Sequence, residues 1–135
     1  MKLWMLFLGI VLAASAARAD ECWPLRTVVR VIDGDTVVLD GGEHVRLLGI
    51  DAPERRQQGW RKATDAVKAM LLHHRVMLEY DSHGRLDRYG RTLAYLWYED
   101  NDAWRMANRD LLARGLVACY TRFPIDECID RQPIP

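Results

Sequence analysis

The stretch VIDGDTVVLDGGEHVRLLGIDAPE, residues 31–54, alternates β-branched and aliphatic residues with short acidic turns that contain glycine. β-Branched residues favour extended backbone, and Asp-Gly pairs favour tight turns. We therefore predict strands over Arg26–Ile32 and Val37–Asp40, separated by the turn Asp33–Asp35. A glycine loop at residues 40–43 would lead into a third strand over His44–Ile50, because both of its glycines can take positive φ.

The remainder of the chain predicts two helices and two further strands. Apolar residues recur at helical spacing over Gln58–His73. The other predicted elements are strands over Val76–Tyr80 and Arg91–Tyr98, a helix over Trp104–Arg114 and a short extended segment over Leu116–Tyr120. Five short strands with a helix between the third and the fourth are typical of a small closed barrel of the OB type. We therefore predict an α+β fold, a five-stranded β-barrel with helices.

The N-terminal segment has the composition of a cleaved signal peptide. Lys2 supplies a positive start, an apolar run follows over residues 3–14, and Ala17-Arg18-Ala19 places small residues where signal peptidase cleaves. The apolar run is too short to span a bilayer comfortably. We predict a signal peptide over residues 1–19 and one domain over residues 20–135. The protein would be exported, periplasmic or secreted, and would not stay inserted in a membrane after cleavage.

Charge and cysteine content limit the possible partners and crosslinks. The chain has 19 basic and 19 acidic residues, so it has no strong overall attraction for a polyanion and would have to bind one through local groups and metal ions. An exported protein can form disulfides. One disulfide and one free thiol are the simplest outcome for three cysteines. Cys119 with Cys128 is the preferred pair, and Cys22 with either of them stays open.

Two carboxylates are predicted to converge at strand ends. Asp35 and Asp51 follow different strands, where turns can bring their side chains together. Two such carboxylates would repel each other, and a hard divalent cation such as Ca²⁺ would hold both in the ionised form. The alternative is that both are solvated turn aspartates, since Asp is common beside Gly for local hydrogen-bonding reasons.

Two arginines favour the binding of an anion near these carboxylates. Arg46 falls in the middle of a predicted strand, and its guanidinium fork matches the geometry of phosphate oxygens. Arg91 ends the motif DRYGR at a junction between a loop and a strand, and Tyr89 of that motif could stack on a base or a sugar. The alternative is a surface loop whose charges are solvated.

Three ordered motifs carry a resemblance to a known family. DGDT at residues 33–36, RLLGIDAPE at residues 46–54 and DRYGRTLAYLW at residues 87–97 closely resemble motifs of the thermonuclease (staphylococcal-nuclease-like) family. Asn108 and the residues after it also fit the second helix of that family. The resemblance covers residues 27–120. It implies an OB-fold barrel, here with a shortened C-terminal helical region, because a proline-bearing tail replaces the family's third helix.

The resemblance also implies residue roles. Asp35 and Asp51 would bind Ca²⁺ together with the main-chain carbonyl of Ala52, and Asp33 would support them. The other roles that it implies are phosphate binding by Arg46 and Arg91, activation or positioning of the attacking water by Glu54, and nucleotide contact by Tyr89.

The implied activity is that of a Ca²⁺-dependent endonuclease. It would hydrolyse DNA and RNA, preferably single-stranded or denatured, with little sequence specificity, and would leave 3′-phosphate ends. We expect the protein to act as a monomer. The alternative is a non-catalytic OB-fold module that binds single-stranded nucleic acid or a protein partner, although binding alone would not require Glu54.

Overall fold

Five strands close into a barrel in the computed structural model, which describes residues 23–80 and 86–120. The barrel strands are β1 (Leu25–Asp33), β2 (Thr36–Leu39), β3 (His44–Leu47), β5 (Arg75–Tyr80) and β6 (Thr92–Asp100). Neighbours pair antiparallel in the order β3-β2-β1-β5-β6, and a parallel pairing of β3 with β6 closes the barrel. The predicted five-stranded OB-fold barrel with helices is therefore confirmed.

Two helices and three short strands complete the described part of the chain. They are α1 (Trp60–Leu71), α2 (Ala107–Ala113), β4 (Ile50–Asp51), β7 (Ala103–Met106) and β8 (Ala118–Cys119). β4 pairs with β8, and β7 extends the barrel as a hairpin with β6. The hydrophobic core fills the barrel and continues beneath both helices. Its fully buried aliphatic side chains include Val28, Leu39, Leu47, Val67, Leu78, Leu96 and Leu111.

The predicted third strand is interrupted where the prediction had it continuous. β3 ends at Leu47, the chain turns at Leu48 and Gly49, and Gly49 has a φ of 72°. Glycine takes such a φ without the cost that a Cβ would add. The chain then enters β4, which pairs with β8 instead of continuing the barrel. Asp51 is therefore carried to the rim of the barrel.

The predicted helix over Trp104–Arg114 begins three residues later than expected. Residues 103–106 pair with β6 through a turn in which Asn101 and Asp102 have φ values of 50° and 63°. Trp104 and Met106 turn inward while Arg105 is exposed, which is the alternation of a strand. Pairing with a neighbouring strand thus takes up the residues that the prediction had assigned to the start of the helix. α1 likewise starts at Trp60, two residues later than predicted.

A buried asparagine joins the second helix to the barrel. Asn108 lies in α2 and is completely buried. Its Nδ2 donates a hydrogen bond to the carbonyl oxygen of Leu48 at 2.7 Å, and its Oδ1 accepts from the N–H of Leu96 at 3.1 Å. One side chain therefore satisfies two backbone groups, one in the turn between β3 and β4 and one in β6.

Candidate active site

The turn between β1 and β2 presents Asp35 to the segment that follows β4. The N–H of Asp35 donates a hydrogen bond to Asp33 Oδ1 at 3.1 Å, which holds the turn. Asp35 is buried, and its Oδ1 accepts from the hydroxyl of Thr36 at 3.0 Å. Its Oδ2 accepts from the N–H of Ala52 at 2.8 Å. The two segments that carry the predicted calcium ligands are therefore directly bonded to each other.

Asp33 lies behind this turn in a partly buried position. Burial raises the pKa of the Asp33 carboxyl above its ordinary value, and the negative charge of Asp35 raises it further. Asp33 accepts a hydrogen bond from the backbone N–H of Asp35, and the charge of Arg46 also acts on its carboxyl. This position is compatible with the supporting role that the family resemblance implies.

Arg46 supplies a positive charge that the sequence prediction did not provide for these carboxylates. Its Nη2 lies 3.3 Å from Asp35 Oδ2 and 3.2 Å from Asp51 Oδ1. The repulsion that the sequence analysis expected between the two carboxylates is therefore relieved by Arg46 even without a cation. The cause is strand register, because Arg46 in β3 pairs with Thr36 in β2, the residue next to Asp35.

The guanidinium of Arg46 also stabilises the turn between β3 and β4. Its Nη1 donates hydrogen bonds to the carbonyl oxygens of Leu47 and Ile50, both at 2.7 Å. The aromatic ring of Tyr120 lies beside the guanidinium, with its centroid 5.9 Å from Cζ. Arg46 therefore has a fixed position, and its side chain is only 14% exposed.

The residues around Arg46 fit a hard divalent cation. Both carboxylate oxygens lie within 3.3 Å of the same nitrogen atom, so they already converge on one positive charge. Ca²⁺ takes oxygen ligands at about 2.3–2.6 Å, including carbonyls and waters. Within the described ranges no three His, Cys, Asp or Glu side chains are grouped as a metal site. A cation bound between Asp35 and Asp51 would therefore complete its coordination with carbonyl oxygen, such as that of Ala52, and with water.

Gly34 lies in a close contact beneath the candidate ligands. A Cβ added at Gly34 would lie 2.8 Å from the Cβ of Ala52 and 2.8 Å from the Cβ of Ala63 in α1. Real Cβ atoms do not approach this closely, so the three backbone segments would have to separate. The absence of a side chain at Gly34 therefore sets the distance between the Asp35 turn, the Ala52 segment and α1.

Replacing Gly34 with alanine should weaken calcium binding as well as stability. Overpacking of this kind typically costs about 1–3 kcal/mol, and here it would also move Asp35 away from Ala52. Calorimetric calcium titration and denaturant unfolding would measure the two effects. Gly42→Ala is the control, since its φ of 87° strains an alanine while nothing lies within 4 Å of the added Cβ. Equal calcium affinity in the Gly34→Ala variant and the wild type would contradict this account of Gly34.

Glu54 occupies an exposed loop that Gln57 closes. The N–H of Glu54 donates to Gln57 Oε1 at 2.7 Å, and the N–H of Gln57 donates to the carbonyl oxygen of Glu54 at 2.8 Å. These bonds use only the backbone of Glu54, and its side chain faces solvent. The carboxylate of Glu54 is thus available two residues beyond Ala52. Sequence reasoning did not assign Gln57 a role.

Arg91 is connected to Asp35 through a shared hydroxyl. Its Nη1 donates to Thr36 Oγ1 at 3.4 Å, and that hydroxyl donates to Asp35 Oδ1 at 3.0 Å. Asp87 holds Arg91 at the start of β6 by accepting from its Nε at 2.7 Å and from its backbone N–H at 2.9 Å. The second arginine therefore lies on the same side of the barrel as the two aspartates.

Asp87 is a functional neighbour that sequence reasoning left without a role, although its i, i+4 spacing from Arg91 is a usable signal. Burial alone would raise the pKa of Asp87. The hydrogen bonds from Arg91 and from the N–H of Tyr89 outweigh burial and hold the pKa below its ordinary value. Asp87 is therefore a charged partner that keeps the Arg91 side chain in place.

Tyr89 lies at the edge of the site. It is 68% exposed. Its ring centroid lies 5.5 Å from Cζ of Arg91, and its hydroxyl accepts from Nη2 of Arg88 at 2.6 Å. The structure thus places Tyr89 beside one predicted phosphate-binding arginine, where a bound nucleotide could reach the ring.

Several sequence predictions fall wholly or partly outside the described residues. They are the signal peptide at residues 1–19, Cys22, and the tail that carries Cys128. Cys119 is partly buried and has no disulfide partner within the described ranges, so its pairing with Cys128 stays a prediction. None of the helices in residues 23–80 and 86–120 is long and apolar enough to cross a membrane.

Known proteins are similar to this chain in sequence. Residues 44–132 match the family described as staphylococcal nuclease homologue. The chain is 43% identical over 109 residues to the Thermonuclease of Staphylococcus intermedius, covering 74% of this chain and 62% of the relative. It is 40% identical over 99 residues to the Thermonuclease of Staphylococcus hyicus, covering 67% and 56%. Endonuclease YncB of Bacillus subtilis is 32% identical over 114 residues, covering 78% and 53%.

The chain spans between about half and three fifths of the length of these relatives. The matched region nevertheless includes β3, the segment from Asp51 to Glu54, α1, and β6 with Arg91 before it. The resemblance first read from three motifs is thus confirmed, and the chain belongs to the staphylococcal nuclease homologue family.

Proposed function

We propose that this chain is an endonuclease that hydrolyses phosphodiester bonds of DNA and RNA. The observation that carries the proposal is the cluster in which Arg46 contacts Asp35 and Asp51 while Arg91 joins the same cluster through Thr36. Hydrolysis of a phosphodiester needs positive charge for the phosphate oxygens, which the two arginines of this cluster supply, and an acceptor for the proton of water, which the nearby exposed Glu54 supplies. The names Thermonuclease and Endonuclease of the relatives agree with this activity.

We propose Ca²⁺ as the metal, held by Asp35, Asp51 and the carbonyl of Ala52. When bound, the ion would supply positive charge that stabilises the charge developing on the phosphate oxygens. The donor set contains only oxygen, which suits Ca²⁺ better than the softer Zn²⁺. Binding of the ion would also relieve Arg46 of neutralising the two carboxylates, and its Nη2 would then be available to the substrate phosphate while Nη1 keeps the guanidinium in place.

The protein side chains carry the other parts of the reaction. Arg46 and Arg91 bind the phosphate and stabilise the charge that builds up on it, since guanidinium groups match its oxygens. Glu54 accepts a proton from the attacking water, whose oxygen bonds to phosphorus while the bond to the 5′ oxygen breaks. The 5′ oxygen leaves with the bonding electron pair and takes up a proton from solvent. One product then keeps a 3′-phosphate and the other a 5′-hydroxyl. Tyr89 contacts the nucleotide from the edge of the site.

The proposed substrate range follows from the type of contact. Arginine contacts to phosphate carry no base information, so sequence specificity should be low. Single-stranded or denatured nucleic acid is favoured because a flexible strand can enter a site built on short loops. We propose that a monomer suffices, since one chain supplies all of the named residues.

The proposed activity is tested by the release of acid-soluble nucleotides from denatured DNA. We expect release with Ca²⁺, none with excess chelator, and little with Zn²⁺. Asp35→Ala should weaken calcium binding in calorimetry, because it removes a buried ligand. Equal release in Ca²⁺ and in chelator would overturn the proposed metal. If the folded protein binds the DNA but does not cleave it in the presence of any divalent metal, the chain is instead the non-catalytic OB-fold module.

Export is proposed from the N-terminal sequence. Lys2, the apolar run and Ala17-Arg18-Ala19 predict cleavage after Ala19. We expect the intact mass of the exported protein to correspond to a chain that starts at Asp20 and contains one disulfide. Retention of Met1 in the exported fraction would overturn the cleavage, and three free thiols would overturn the disulfide.

A further inference from the structure

An open groove lies directly after Glu54 and concentrates positive charge. It has a volume of about 700 Å³ and is lined by residues 55–62, which we call the basic groove. Four of these residues are cations and none is acidic: Arg55, Arg56, Arg61 and Lys62. The whole chain has equal numbers of basic and acidic residues, so the groove is a local concentration of charge.

The cations of the basic groove have no acidic partner among the described residues. All four are exposed, and none forms an ion pair with any residue in the described part of the chain. Arg55 lies over the ring of Trp60, with Cζ 6.0 Å from the centroid, which is a contact that leaves the charge uncompensated. By contrast, Arg26 and Arg105 outside the groove both contact carboxylates at 2.8 Å. The basic groove therefore presents a positive charge for an external anion.

The basic groove adjoins the candidate active site along the chain and is joined to it by a hydrogen bond. It begins one residue after Glu54, and Gln57 at its wall fixes the backbone of Glu54. It ends in the first turn of α1. The next residue in this helix, Ala63, packs against Gly34, the residue before Asp35. The cations of the groove therefore follow the proposed general base directly along the chain.

The backbone at Arg56 points to a use for its side chain. Arg56 has a φ of 79°, in the left-handed region where glycine fits with least strain. Strained residues of this kind cluster at sites of ligand binding. The strain is here combined with an exposed guanidinium in a groove that already holds three other cations.

We propose that the basic groove binds the backbone phosphates of a polynucleotide next to the bond that is cleaved, an inference that rests on the proposed function. Charge complementarity selects a polyanion as the occupant. The exposed large hydrophobic residues of the described chain lie outside the groove: Leu25, Val29, Ile32, Leu86 and Tyr89. A membrane surface would be bound more favourably by cations interleaved with such residues, so a nucleic acid fits the groove better.

The test compares two variants of the full chain that lose the same charge. The groove variant carries Arg55→Gln, Arg56→Gln, Arg61→Gln and Lys62→Gln. The control variant carries four changes at exposed cations outside the groove, which also form no ion pair within the described residues: Arg30→Gln, Lys68→Gln, Arg75→Gln and Arg114→Gln. Circular dichroism and thermal melts establish that both variants fold.

The first measurement is the binding of a fluorescent single-stranded 20-mer in chelator, followed by anisotropy at several salt concentrations. The groove variant should bind at least about tenfold more weakly, and its slope of log K against log salt should be shallower by about 3, since each lost phosphate contact removes ~0.7. The control variant should bind much more like the wild type. Equal losses in the two variants, or no loss in the groove variant, would overturn the proposal.

The second measurement separates the groove from the active site. In Ca²⁺, the groove variant should lose much more kcat/KM for the 20-mer than for a dinucleotide, each compared with the wild type. A dinucleotide has a single phosphodiester and therefore offers no second phosphate to the groove. If the wild type cleaves neither substrate but binds the 20-mer through the groove, the proposed nuclease activity is refuted and the proposed phosphate binding by the groove is supported. If the groove variant instead loses binding only to phosphatidylglycerol vesicles, the occupant is a membrane and the proposal is wrong.

Discussion

A Glu54→Gln variant is expected to fold normally and to lose at least about a hundredfold in kcat, since removing a positioned general base typically costs ~10²–10⁴ in rate. Its loop should keep its shape, because the hydrogen bonds to Gln57 use the backbone of Glu54. Glutamine has nearly the same size but cannot accept a proton from water at neutral pH. Calcium affinity should change far less than in Asp35→Ala.

The measurement is steady-state hydrolysis of denatured DNA, combined with calorimetric calcium titration. Glu99→Gln is a matched control, because Glu99 is also exposed and lies at the far end of β6. A folded Glu54→Gln variant with near-normal kcat would remove Glu54 from the mechanism. Arg46→Ala and Arg91→Ala should also lower kcat by at least about a hundredfold. Their interpretation is less direct, since both side chains hold local structure.

An Asn108→Ala variant should lose about 3 kcal/mol of stability, the largest effect on folding that we predict. It leaves the carbonyl of Leu48 and the N–H of Leu96 buried without partners, and each unsatisfied group costs about 1–3 kcal/mol. A small domain has only about 5–15 kcal/mol in total. The variant should therefore melt at a clearly lower temperature, and urea unfolding would give the change in free energy.

Asn101→Gly is the control for the Asn108 prediction. Asn101 is exposed, and its φ of 50° suits glycine, so its replacement should change stability by less than about 0.5 kcal/mol. Because Leu48 adjoins the turn that delivers Asp51, the Asn108→Ala variant should also show weaker calcium binding while it is still folded. A loss of less than about 1 kcal/mol in Asn108→Ala would contradict the role of this side chain.

The strands of the barrel could be predicted from sequence because their signals are local. β-Branched alternation and Asp-Gly turns lie within a few residues of each other over β1, β2 and the start of β3. The hairpin of β6 with β7 could not be predicted in this way. Trp104 and Met106 alternate with Arg105 as in a strand, but four residues are too short a pattern to separate from the first turn of a helix, and the partner strand β6 decides between them.

The site shows the same division between local and long-range information. Asp35, Arg46, Asp51 and Arg91 were identified from motif residues, and the structure places them in one hydrogen-bonded cluster. The pairing of Arg46 with both aspartates depends on the register of β2 against β3, which the sequence does not state. The contact of Gly34 with Ala63 depends on where α1 packs against the barrel, and the sequence around Gly34 does not indicate that position.

The parallel pairing of β3 with β6 has a consequence during protein synthesis. Val45 pairs with Thr92 and Leu47 with Ala94, so the barrel cannot close until β5 and the start of β6 have left the ribosome. Arg46 lies on one of these strands and Arg91 immediately precedes the other. A shorter nascent chain would carry Asp35, Asp51 and Glu54 but could not place the second arginine beside them. The proposed site would therefore remain incomplete until the chain has been synthesised through Arg91 and the start of β6.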